Sequence, residues 1–112
     1  MVFKRGKYRF RVAAECAPAF RNALRILAEF GHDETIVNVR LGEIKSQVSV
    51  GKCPDGATAV ENHPGYYSLT VFTVRFIFSI DEEIMLIAIE EVDPSALIRV
   101  LERRAARRIA TE

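Results

Sequence analysis

The stretch from Gly65 to Val92, GYYSLTVFTVRFIFSIDEEIMLIAIEEV, commits a large part of the chain to β-structure, and so to a sheet that another layer must cover. Thr70, Phe72, Val74, Phe76, Phe78 and Ile80 fall on one side of its alternation, and Leu69, Val71, Thr73, Arg75, Ile77 and Ser79 on the other. One long strand fits this pattern, and so do two strands broken near Phe72–Thr73. Arg75 stands among apolar neighbours, where a guanidinium must be satisfied by a carboxylate or face a site. Asp81–Glu83 reads as a turn. Ile84–Val92, apolar on both faces, reads as a strand in the middle of the sheet.

The covering layer is written upstream and downstream. Residues 7–14, KYRFRVAA, alternate as a half-buried strand with Tyr8, Phe10 and Val12 on one face and Lys7, Arg9 and Arg11 on the other. Glu15 to Phe30 reads as a helix with Pro18 in its opening turn, an apolar seam of Phe20, Leu24, Leu27 and Ala28, and Gly31 as its stop. Residues 33–50 are ambiguous. Val37, Leu41, Ile44 and Val48 make a helical seam, yet Val37, Val39 and Leu41 also alternate, and the segment is rich in β-branched residues. Propensity alone leans to strand, whereas Asp33 as a cap, together with the family resemblance that follows, leans the reading slightly towards helix. Residues 51–65 carry Cys-Pro-Asp-Gly and His-Pro-Gly and read as a loop. Asp93–Pro94 opens a last helix to about Ala110, with Leu97, Leu101, Ala105 and Ile98 facing inward. The expected fold class is α+β: a single small domain over residues 1–112, with helices packed on one face of a mostly antiparallel sheet.

The chain has 112 residues and a net charge of +1, which argues against indiscriminate coating of nucleic acid. Its charge is unevenly distributed. Lys4, Arg5, Lys7, Arg9 and Arg11 crowd the first strand, and Arg99, Arg103, Arg104, Arg107 and Arg108 the last helix, with acids between. No segment has the apolar length of a membrane span, and the basic N-terminus is not followed by the apolar region of an export signal, so a cytoplasmic protein is expected. Cys16 and Cys53 are not spaced as metal ligands and are expected to be free thiols. Neither a metal nor a cofactor is implied.

The opening YRFRVAAECAPAFRNALRILAE, a strand running into a helix, and GYYSLTVFTVRFIFSIDEEI, an aromatic pair followed by an alternating hairpin and an acidic turn, resemble the RelE/ParE superfamily of toxin–antitoxin toxins. The resemblance covers roughly residues 7 to 92. It implies a toxin-like component of a type II pair that binds a macromolecular target, as ParE-like members bind DNA gyrase, and is neutralised by an antitoxin. The alternative implied by the RelE branch is a ribosome-dependent endonuclease acting on mRNA. A non-toxic protein-interaction domain stands behind both, and the resemblance leaves room for a homodimer. Arg75 matches an arginine of the nuclease constellation. Ser68 and Thr70 stand where that branch has basic residues, and EEVDPSALI stands where it has a further Arg and a Tyr or His.

RNA cleavage needs a general base, a general acid and cations on the phosphate. Arg75 can hold a phosphate bidentately, but its proton is bound too tightly for acid–base work. His63 is the candidate acid or base, with Tyr66 and Tyr67 as stacking surfaces beside it. His32, after a helix-ending glycine, is expected to meet the last carbonyls of the first helix. Arg9 and Arg11 on the first strand, and the row Arg99, Arg103 and Arg107 at helical spacing, are candidate binding residues for an acidic antitoxin segment.

Overall fold

The computed structural model describes residues 3–96, 98–100, 102, 103 and 106. Strand β1 (Arg9–Val12) leads through a 3-10 turn (Ala14–Cys16) into helices α1 (Ala17–Glu29) and α2 (Glu34–Ser49). Strands β2 (Thr58–Ala59), β3 (Tyr66–Val71), β4 (Val74–Asp81) and β5 (Leu86–Asp93) follow. Helical backbone resumes at Ser95. The sheet order is β1-β5-β4-β3-β2. β1 runs parallel to β5 and the other pairs are antiparallel. The α+β class expected from the sequence is the one observed, with α1 and α2 on one face.

Segment 33–50 is a helix. The Asp33 carboxylate accepts the Ile36 N–H at 3.0 Å, and Val37, Leu41, Ile44 and Val48 are all buried. The competing β pattern of Val37, Val39 and Leu41 loses because Val39 is left 64% exposed, while the helical seam buries all four of its members.

Helix α1 is rotated from its expected seam. Ala23, Ile26 and Leu27 are buried, Phe20 and Leu24 are half-buried, and Ala28 is exposed. Ala23 has no exposed surface, so the helix approaches the sheet where its side chain is smallest, and the larger Phe20 flanks the contact edge-on to Phe76 at 6.1 Å. Gly31, at φ +83, stops the helix. Its N–H donates to Ala28 O at 3.0 Å and the His32 N–H to Leu27 O at 3.1 Å, the two bonds of a Schellman cap. The backbone of His32, rather than its ring, therefore meets the last carbonyls.

The ring of His32 lies instead against Phe72, with centroids 4.0 Å apart and planes at 8°. Phe72 and Thr73 form the two-residue turn between β3 and β4, with φ of 48° and 70°. Such a turn ordinarily takes Asn or Gly, and the stacked ring gives Phe72 a partner there. A two-residue loop sets Val71 directly opposite Val74. The buried face is therefore Tyr67, Leu69 and Val71, continued by Val74, Phe76, Phe78 and Ile80. Thr70, expected beside the phenylalanines, is exposed, because the turn shifts the alternation by one residue between the strands.

Two further features shape the sheet. The β4–β5 register shifts between Ile77, opposite Glu91, and Phe78, opposite Ile89, leaving Glu90 as the extra residue of a bulge. At the N-terminus, Phe3 is buried edge-on to Tyr67 at 5.6 Å, and its N–H donates to Gly51 O at 3.1 Å. The Tyr8 hydroxyl donates to Lys4 O at 2.6 Å, so residues 3–8 strap the end of α2 to the sheet. Cys16 is buried and Cys53 half-buried, and both are free. Burial, followed by the carboxylates of Glu90, Glu91 and Glu15, pushes the Cys16 thiol above its ordinary range.

Candidate functional site: the outer face of the sheet

With α1 and α2 behind it, the sheet turns Tyr66, Ser68, Thr70, Arg75, Ile77 and Ser79 outward through strand parity alone. Arg75 is therefore exposed, and the burial cost anticipated for a guanidinium among apolar neighbours does not arise. Its Nε donates to Ser68 Oγ at 3.0 Å, and across the sheet it stands opposite Asp93.

Asp93 caps the C-terminal helical segment by accepting the Ser95 N–H at 2.9 Å, and the Ser95 hydroxyl donates to the same oxygen. These two bonds, with smaller contributions from Arg75 and Arg99, hold its carboxyl below the usual carboxylate range. A depressed folded value contributes stability that is present above the unfolded value and lost as pH falls through the folded one. Asn caps a helix as Asp does but does not titrate. Thermal melts from pH 7 to 3 are thus expected to show a smaller acid loss for Asp93→Asn than for the wild type, a small difference because the carboxyl is screened by solvent. Equal losses would disconnect the cap from the acid limb.

His63 sits at the other end of this face. It lies edge-on to Tyr66 at 6.3 Å, and both line a cavity of ≈ 290 Å³ with Val60, Ile77, Glu90 and Glu91. Arg75 is not among the lining residues, so the two candidate catalytic groups do not share a pocket. The bulge makes this cavity acidic by exposing two successive glutamates, and Ser79 Oγ donates to Glu90 Oε1 at 2.9 Å. Tyr66 is 40% exposed, but Tyr67 is 5% exposed and lies in the core, stacked on Phe78 at 5.8 Å. The expected tyrosine pair is thus split across the sheet, since consecutive strand residues face opposite ways.

The basic candidates fall elsewhere. Arg9 and Arg11 are exposed on β1, at the far edge of the sheet from β2. Arg11 and Lys45 flank a groove of ≈ 390 Å³ whose apolar lining is Phe10, Val12, Phe20 and Leu41. The pairing of Lys45 with Arg11 was not visible in the sequence, because it depends on how α2 crosses β1. Arg99 and Arg103 are exposed on the C-terminal helical segment, and Arg107 lies outside the described residues. Among the described residues, no three His, Cys, Asp or Glu side chains gather as a metal site would require, and no helix is long and apolar enough to cross a membrane.

Among the described residues, the outer face does not assemble an acid, a base and cations around one phosphate. The Ser68–Arg75 bond was not read from the sequence, whose alternation set Arg75 with Leu69 and Val71; the two-residue turn after Val71 is what brings the two side chains to one face.

No protein-family model matches the sequence, and no curated protein matches it. The structure is similar to a chain of the RelBE2 toxin–antitoxin complex of Mycobacterium tuberculosis, with a TM-score of 0.51 and 21% sequence identity. The match covers 79% of this chain and 98% of that one. The fold of this chain is that of the RelE-like toxins.

Proposed function

We propose that this chain is the toxin-like member of a type II toxin–antitoxin pair, acting by binding a macromolecular target and held silent by an antitoxin. The observation that carries the reading is the fold match to nearly the whole of one chain of a toxin–antitoxin complex. Binding rather than RNA cleavage is favoured by the chemistry of the outer face. Arg75 is engaged by Ser68 and lies opposite Asp93, while His63 shares its cavity with two glutamates that repel a phosphate backbone. A ParE-like target, DNA gyrase, fits this better than ribosome-bound mRNA. The site of action is then the cytoplasm.

Inducible expression is expected to arrest growth, and co-expression of the small protein encoded next to it to restore growth. Arrest with intact transcripts and an induced DNA-damage response supports the gyrase reading. Cleaved transcripts, with arrest relieved in Arg75→Ala, would replace it with the nuclease. Normal growth on expression of folded protein would leave a non-toxic interaction domain.

A further inference from the structure

We infer that the outer face around Tyr66 is a docking surface for the arginine-rich C-terminal segment of a second copy of this chain. Tyr66 is a ridge between two cavities. One is the ≈ 290 Å³ cavity with Glu90 and Glu91, and the other, of ≈ 400 Å³, is lined by Asp81, Glu82 and Glu83 at the β4–β5 turn. Neither lining contains a lysine or arginine.

The five carboxylates are not equivalent. Asp81 accepts the Glu83 N–H at 3.0 Å, Glu82 accepts the Lys4 N–H at 2.6 Å, and Glu90 accepts the Ser79 hydroxyl at 2.9 Å. Among the described residues, the side-chain carboxylates of Glu83 and Glu91 hold no hydrogen bond or ion pair. Each cavity thus offers one uncommitted carboxylate, with a half-exposed aromatic ring between them. That combination suits guanidinium groups, which pair with a carboxylate through two N–H donors and lie flat on a tyrosine face.

The chain carries the complementary group. Arg99 and Arg103 are exposed and helical, and neither forms an ion pair among the described residues. Arg104, Arg107 and Arg108 add to the same basic run. Arg99 and Arg103 cannot reach Glu83 of their own chain, so they cannot engage both cavities of their own face. The segment begins at Ser95, beyond the C-terminal end of β5, whereas Glu83 lies before the N-terminal end of that strand. Eight strand residues separate the two ends by about 25 Å, whereas helix from 95 to 103 extends about 12 Å. A second copy has no such restriction. Reciprocal docking, each segment on the other's face, closes a two-fold dimer.

The test uses the full chain and does not depend on toxicity, so its failure leaves the growth assay untouched. Sedimentation velocity is expected to show a dimer at 0.1 M salt. Its dissociation constant should rise at least about tenfold at 1 M, as the Debye length falls from about 10 to about 3 Å. Glu83→Lys with Glu91→Lys, and separately Arg99→Glu with Arg103→Glu, should each give monomers. An equimolar mixture of the two should dimerise again, because each variant now complements the other. If either pair of substitutions prevents folding, as judged by circular dichroism, Glu83→Gln with Glu91→Gln takes its place and should weaken the wild-type dimer. A wild-type monomer at 0.1 M salt, a dimer indifferent to both reversals, or a mixture that stays monomeric would overturn the inference.

Discussion

Replacing Phe78 by alanine is expected to remove about 3–5 kcal/mol of stability, a large share of the roughly 5–15 kcal/mol that holds a domain of this size together. Phe78 has no exposed surface, stacks on Tyr67 and stands opposite Ile89 just past the bulge. Removing the ring leaves a cavity between the hairpin and the helices that rigid β-strands cannot collapse to fill. Ile77, its neighbour, is half-buried on the outer face, and Ile77→Ala should cost no more than about 1 kcal/mol. Urea denaturation of the two variants reads the difference directly. Similar midpoints would mean that the two faces of β4 are not buried as described.

Gly51→Val is the second large effect, expected at about 2–3 kcal/mol. Gly51 follows α2 at φ +81, and a Cβ there would stand 3.0 Å from the carbonyl oxygen of Phe3. The substitution strains the cap and also pushes on the N-terminal strap. Gly31 supplies the control. It closes α1 at φ +83, but a Cβ there would meet nothing within 4 Å. Gly31→Val should therefore carry the backbone strain alone, about 1–2 kcal/mol. Equal losses in the two variants, measured by thermal melting, would show that the strap yields freely and adds nothing at Gly51.

What could be read from the residues divides along physical lines. Local signals were legible: the Asp93 cap and, each as one of two alternatives, the Asp33 cap with the Val37, Leu41, Ile44 and Val48 seam and a break at Phe72–Thr73. These depend on neighbours within a few positions. Two other features were not legible. The rotation of α1 onto Ala23 is chosen by the surface that it meets, and no periodicity count can see that surface. The bulge that exposes Glu90 and Glu91 together depends on β4 and β5 slipping past each other by one residue. For the site, strand parity read from the sequence misplaced Arg75 onto the face of Leu69 and Val71, because it did not include the two-residue turn at Phe72–Thr73 that carries Arg75 to the face of Tyr66. It could not say that His63 and Arg75 end up in separate places, because the loop holding His63 follows no period.

The parallel pairing of β1 with β5 joins the first strand to the last, from Arg9 beside Leu86 to Val12 beside Ile89. On the ribosome, where a chain grows at about 5–20 residues per second, β1 must wait several seconds for its neighbour to be made. Nascent chains that stop short of β5 have no place to seat their opening strand. If the protein is poisonous, prematurely terminated products should be harmless, and a partner translated beforehand has the whole of that delay in which to be ready.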